Sequence, residues 1–254
     1  MKKVFSLLLI ISLVAMIGCK GKTTGKKDTA AADTTSVPDT GFTGIKKMMS
    51  GQYVVSEITF KNGVRDGLMK TFYQGGQLRY TFWYVNGLKQ DSARWYYVEG
   101  QLFRTTPYKN DTIDGIQKQY YRTGKLRARI GFSKGMRIPY LEEFDGNGKR
   151  IGGYPEIVVK VTDDYKTAGL YRIGIEMSDK NNKAKFYRGD FVDGRFDTAH
   201  LQQLPVIEGR ANITLRKSGT QGAKSVSVVG EVTSPLGNKY LTNKKIDLPY
   251  NDLK

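Results

Sequence analysis

From Leu78 the chain alternates in character. Leu78, Tyr80, Phe82 and Tyr84 are separated by Arg79, Thr81 and Trp83. A period of two puts the two sets on opposite faces of a β-strand. Asn86-Gly87 follows, a dipeptide suited to the positive φ angles of a tight hairpin. A second strand then runs through Arg94-Trp95-Tyr96-Tyr97, and Glu99-Gly100 turns the chain again. The pattern returns at Leu126, Ala128, Ile130 and Phe132. Asn62-Gly63 is the matching turn upstream, and Asn110-Asp111 a weaker version between.

The recurrence has a fixed interval. Gly76, Gly100, Gly124 and Gly148 are each 24 residues apart, as are Phe72, Tyr96, Tyr120 and Phe144, and Phe60, Tyr84, Tyr108 and Phe132. Such self-similarity marks a repeat array. Each repeat reads as two short strands and two turns. A lone hairpin is marginal in water, and stacking lets each aromatic row cover the next. The expected object is an all-β, twisted antiparallel meander over residues 44–153. Its tyrosines serve either as this stacking row or as a ligand-contacting stripe. For the second use the candidate surface is Trp83, Trp95, Tyr97, Tyr121, Arg79 and Arg94; Trp83 alternates away from the Leu78/Tyr80/Phe82 face.

The pattern Phe60-Lys61-Asn62-Gly63, Asp66-Gly67, Lys70-Thr71-Phe72-Tyr73 and Gly76-Gln77-Leu78 resembles the variant MORN repeat, also found in YwqK-family antitoxins. Tyr108, Asp114-Gly115, Lys118-Gln119-Tyr120-Tyr121 and Gly124-Lys125-Leu126 match equally. The second copy departs with Gln90-Asp91, and the fourth with Ile138-Pro139 and Glu142-Glu143-Phe144-Asp145, which fits a capping role. A degraded half-copy begins at Gly44-Ile45-Lys46-Lys47. The resemblance implies protein or membrane contacts and no chemistry.

After Gly152-Gly153-Tyr154-Pro155 the pattern changes. About seven short strands follow, among them Ile157–Val161, Leu170–Met177, Ala211–Leu215 and Ser225–Val232, broken by Asp, Asn, Gly and Lys turns. This spacing predicts a β-sandwich over 154–254 that looks like an immunoglobulin-like domain. Such a sandwich is placed to cover the open end of the repeat sheet, whose bare edge invites aggregation.

Residues 1–18 read as a signal peptide. Lys2-Lys3 precede an apolar run from Val4 to Ile17 that is short for a membrane span. Ala15-Met16-Ile17-Gly18-Cys19 resembles a bacterial lipobox, with Met16 in place of the usual leucine. Cys19, the one cysteine in the chain, is then the lipidation site. Residues 19–43 form a polar tether with Lys20, Lys22, Lys26 and Lys27. The resemblance implies an anchor in the cell envelope, in the outer membrane of a Gram-negative cell.

Composition adds one fact that matters. The formal charge is +17, and removal of Lys2 and Lys3 with the signal leaves 17 − 2 = +15. Basic residues among aromatics suit nucleic acid, but secretion argues against that partner. Anionic lipid or polymer, or a solvated lysine surface, are the alternatives. No catalytic constellation is expected. His200 is the one histidine and no nucleophile elbow accompanies it. Asp190, Asp193 and Asp197 match no calcium loop. Arg188-Gly189-Asp190 is a tripeptide common by chance. Glu142-Glu143 and Asp163-Asp164 are adjacent, so on strands they face opposite ways. The expectation is therefore a non-catalytic, membrane-anchored interaction scaffold with no cofactor or metal, binding a protein partner in the envelope. The alternative is a binding module for an anionic envelope polymer or glycan.

Overall fold

The computed structural model describes residues 41–254. The expected signal segment, Cys19 and the tether as far as residue 40 lie outside the described residues.

One antiparallel sheet follows the chain. β1 (Gly44–Ser50), β2 (Tyr53–Lys61), β3 (Val64–Phe72), β4 (Leu78–Val85), β5 (Leu88–Tyr96) and β6 (Leu102–Lys109) lie side by side in sequence order. β8 (Gly115–Tyr120), β9 (Leu126–Ser133), β10 (Met136–Phe144) and β11 (Arg150–Ile151) continue it, while the short β7 (Thr112–Ile113) pairs with β6. The order is that of a meander because every connection is one of two short turns. At one end of each repeat Asn62-Gly63, Asn86-Gly87 and Lys134-Gly135 have both central residues at positive φ, the geometry whose twist matches the strands. At the other end Tyr73 N–H donates to the Gln77 carbonyl and Gly76 N–H to the Tyr73 carbonyl. Tyr97, Tyr121 and Asp145 repeat both bonds.

A bulge sits inside each repeat. Phe60 pairs with Arg65 and Ile58 with Met69, so Asp66, Gly67 and Leu68 together oppose Thr59. Likewise Asp91, Ser92 and Ala93 oppose Phe82, and Ile138, Pro139 and Tyr140 oppose Gly131. The Asp-Gly of the regular copies is explained here, since Gly67 and Gly115 take φ of 108° and 114°. Two extra residues preserve the alternation of faces.

One face of the sheet is aromatic and self-covering. The Phe82 ring lies edge-on to Tyr80 and Trp95 at 5.5 Å and to Tyr108 at 6.0 Å, the preferred aromatic geometry. Ala93 is buried beneath them. Lys89 and Arg104 lie over the rings, with the Arg104 guanidinium 4.2 Å from Trp95.

The chain from residue 154 forms two further sheets. β12 (Ile157–Asp164), β13 (Leu170–Met177) and β16 (Ala211–Arg216) make one, and β15 (Gln202–Gln203), β14 (Lys185–Arg188), β17 (Ser225–Thr233) and β18 (Lys239–Asp247) the other. Tyr165–Ala168 is a single helical turn. Ile173, Ile175 and Met177 alternate inward from the first sheet and meet Phe186, Val226 and Val228 of the second, giving a β-sandwich core.

The sandwich closes the last repeat. Glu143 is fully buried and accepts from Ser234 Oγ and Asn238 Nδ2, both at 2.6 Å, and from Tyr154 Oη at 3.1 Å. Ser234 and Asn238 belong to the β17–β18 turn. Arg137 Nη2 donates to the Lys239 carbonyl at 2.6 Å, and Tyr154 stacks on Tyr240 at 4.6 Å.

Candidate functional site

The second face of the repeat sheet is organised in rows. Register pairs Lys47 with Glu57, Glu57 with Lys70, Lys70 with Thr81, Thr81 with Arg94 and Arg94 with Thr105. The same line continues through Lys118, Arg129 and Glu142. Directly paired residues share a face, so this is one continuous row across nine strands. It carries Lys47, Lys70, Arg94, Lys118 and Arg129 against Glu57 and Glu142, 5 − 2 = +3. Lys70, Arg94 and Lys118 are one repeat apart, so their strands are separated by two strand spacings, about 10 Å.

Two residues along each strand lies an apolar row. Leu68 pairs with Trp83, Ser92 with Pro107 and Ile116 with Gly131, and Tyr140 ends the line. At the hairpin end Val85 pairs with Leu88. Leu68, Trp83, Val85, Leu88 and Val64 are all exposed, Trp83 at 46 %. Exposed apolar side chains packed together in this way mark an interaction surface more often than scattered ones do.

Along that row the residues one repeat apart are Trp83, Pro107 and Gly131, and beside it lies a hollow of about 440 Å³. Pro107, Ile116, Lys118, Arg129 and Tyr140 line it. Gly131 is required, because a Cβ there would meet Ile138 Cδ1 at 2.7 Å and Tyr140 Cβ at 2.9 Å. Glu142 flanks the hollow, accepting from Tyr140 Oη at 2.9 Å and Arg129 Nη1 at 3.1 Å. These bonds, Tyr140's first, hold its carboxyl below the usual range.

The residues singled out from the sequence divide between several places. Trp83 and Arg94 share the open face. Trp95 lies on the opposite face, half-buried in the aromatic cluster. Tyr97 and Tyr121 form a ladder with Tyr73: each hydroxyl donates to the backbone carbonyl 23 residues on, at Tyr96, Tyr120 and Phe144, over 2.7–2.9 Å. Their rings also carry Arg122 at 4.6 Å and Arg127 at 5.9 Å. Arg79 is exposed and sits over Tyr73 and Tyr80. Lys118, Ile116, Arg129 and Tyr140 were not among the candidate surface residues, although Lys118 stands one repeat after Arg94 and two after Lys70.

Elsewhere the polar residues are occupied locally. His200 Nδ1 lies 2.8 Å from Asp197, Asp193 pairs with Arg195, and Asp190 accepts from Asn243. Among the described residues no group of three His, Cys, Asp or Glu is placed to hold a metal, and no helix is long and apolar enough to cross a membrane. Glu142 and Glu143 point to opposite faces, to Arg129 and to Ser234.

The MORN repeat variant matches residues 65–86 and 113–134. Each match begins on β3 or at β7 and runs over a bulge containing Asp66-Gly67 or Asp114-Gly115 into the next hairpin turn. These two stretches of the chain thus carry MORN repeats. No curated protein matches it.

Proposed function

We propose that the chain is a lipid-anchored protein of the bacterial cell envelope that acts as a non-catalytic scaffold, engaging a protein partner through its repeat sheet. Cys19 carries the anchor, and residues 20–43 tether the array away from the membrane. In a Gram-negative cell that membrane is the outer one. The C-terminal half, read as an immunoglobulin-like sandwich, holds the array's last strand.

The observation that carries this reading is the apolar patch of Leu68, Trp83, Val85 and Leu88 on a face that no other part of the described chain covers. An interface needs a desolvated aromatic anchor with aliphatic neighbours and a polar rim, and Trp83 beside the basic row has that composition. The test is a pull-down of tagged protein from cross-linked envelopes, with partners identified by mass spectrometry. A stoichiometric protein lost on Trp83→Ala with Leu88→Ala supports the scaffold. Co-purifying polymer or lipid with no protein overturns it. Cys19→Ser should move the protein out of the membrane fraction.

The +3 row favours a second reading, the binding of an anionic envelope polymer. That binding would weaken steeply with salt and survive Trp83→Ala.

A further inference from the structure

The open face has two unlike halves. Toward β3–β5 it is aliphatic and aromatic: Val64, Leu68, Trp83, Val85 and Leu88. Toward β8–β10 it becomes a hollow with an apolar floor of Pro107 and Ile116, the Tyr140 side chain in one wall, and Lys118 and Arg129 beside them. The row of cations joins the two halves. A ligand covering both must therefore be apolar at one end and negative at the other.

We propose that the partner of the repeat sheet is an acidic protein segment lying along the array, with aliphatic or aromatic side chains on the Trp83 patch and a carboxylate in the hollow between Lys118 and Arg129. This rests on the scaffold reading and names the partner's chemistry. Three observations select it. The face is net positive, so electrostatic complementarity calls for an acidic partner. Arg129 is already bonded to Glu142 at 3.1 Å, and Arg150 lies 3.3 Å from the same carboxylate, whereas Lys118 is exposed, pairs in register with Arg129 and lines the hollow; an incoming carboxylate gives Lys118 the anion that these two arginines already share. Finally, the exposed valine and leucines need apolar cover, which a polyphosphate or an acidic glycan lacks. A bilayer surface would meet the long Arg94 and Lys118 side chains before the shorter Val85 and Leu68.

Glycine at 131 has a role in this arrangement. A Cβ there would clash with Ile138 and Tyr140, so glycine lets Tyr140 lie where it lines the hollow. The departure of Ile138-Pro139-Tyr140 from the regular repeat supplies both the excluding side chains and the tyrosine.

The test is a selection of random displayed peptides on the full chain in detergent, followed by titration of the selected peptides, of poly-L-glutamate and of phosphatidylglycerol vesicles. The expected peptides place Asp or Glu within a few residues of Leu, Ile or Trp. Lys118→Glu and Trp83→Ala should each weaken them by about tenfold or more, with the circular-dichroism melt of each variant unchanged; Lys118→Gln, expected to weaken binding less, serves should Lys118→Glu not fold. Peptides without acidic residues, or binding indifferent to both Lys118 variants, overturn the proposal. So does poly-L-glutamate binding as well as the peptides, which points to a polyanion site, or vesicle binding that Lys118→Glu abolishes while the peptides do not bind. Benzoylphenylalanine in place of Val85 separates the two readings in cells. A protein adduct that Lys118→Glu leaves intact keeps the scaffold and removes the acidic segment. No protein adduct removes both.

Discussion

Phe196 donates its backbone N–H to the Arg137 carbonyl at 2.8 Å, filling a slot that belongs to the repeat series. Gly87 donates to Arg65, Asp111 to Lys89 and Gly135 to Ile113. Those acceptors are 24 residues apart, and Arg137 is the next. The turn of a further repeat would sit there, and the sandwich supplies an N–H in its place. Repeat arrays need atypical ends because each unit is stabilised by its neighbours. Here the end is a separate sandwich, bonded through backbone at Phe196 and through the buried Glu143.

That joint predicts a specific cost. Glu143→Ala would strand Ser234 and Asn238 as buried donors and Tyr154 as a part-buried one and should destabilise the protein by about 3 kcal/mol. Glu143→Gln keeps one accepting oxygen and should cost less, about 1–2 kcal/mol. Urea unfolding checks both. The alanine variant should also separate the melting of the array from that of the sandwich, where the wild type should melt as one unit; coincident transitions in both would show that Glu143 does not couple them.

The tyrosine ladder gives a second prediction. Tyr73, Tyr97 and Tyr121 make the same bond in three successive repeats. Each Tyr→Phe change removes one part-buried hydrogen bond and leaves the ring, so each should cost about 1 kcal/mol. Because the three environments repeat, the costs should agree closely and add for distant pairs such as Tyr73 and Tyr121. Partner binding should be unchanged, in contrast to Trp83→Ala. Unequal costs would mean that the three hydroxyls differ in how far their carbonyl partners are shielded from water.

Much of this was legible in the residues. The 24-residue interval fixed the meander, and the Asn-Gly turns fixed its hairpins. Even the separation of Trp83 from Trp95 is written there. The two-residue turn at Asn86-Gly87 sets Trp83 opposite Gln90, and five steps of alternation then carry Trp95 to the other face. Seeing this requires carrying the register through the hairpin, where grouping the tryptophans by type does not. What could not be read was long-range. Nothing near Glu143 announces Ser234 and Asn238, 91 and 95 residues on, because a buried carboxylate's partners are chosen by the docking of two sheets. The hollow was hidden for a related reason: its lining comes from four strands, with Pro107 on β6, Ile116 and Lys118 on β8, Arg129 on β9 and Tyr140 on β10, and no single residue marks it locally.

Glycine substitutions test the packing directly. Gly131→Ala forces a methyl against Ile138 and Tyr140 and should destabilise by about 1–3 kcal/mol through overpacking. Gly174, in the middle of β13, is the opposite case. The nearest atoms to a Cβ there are Asn212 Oδ1 and the Lys160 carbonyl at 3.5 Å, ordinary contact. Gly174→Ala should therefore stabilise by roughly 0.4–1 kcal/mol, mainly by restricting the unfolded chain. Thermal melts of the two variants should move in opposite directions.

Alkaline pH should expose the joint between array and sandwich. Burial, followed by the charge and hydrogen bond of Glu143, holds the Tyr154 phenol well above its ordinary value of 10.0. Burial also raises Tyr108, Tyr171 and Tyr187. Well below pH 10 these phenols are protonated in both states and contribute no slope. Above it the unfolded chain releases protons that the native protein retains, so the native state binds more protons and its stability falls as pH rises. Urea midpoints measured between pH 8 and pH 11 should be flat at first and then decline. Tyr154→Phe should lower the whole curve by about 1 kcal/mol for the lost bond to Glu143 and make the alkaline decline shallower, leaving the share due to the other raised tyrosines, among them Tyr140, Tyr165 and Tyr250, whose hydroxyls donate to carboxylates. An unchanged decline in that variant would mean that Tyr154 gives up its proton as readily in the native joint as in the unfolded chain.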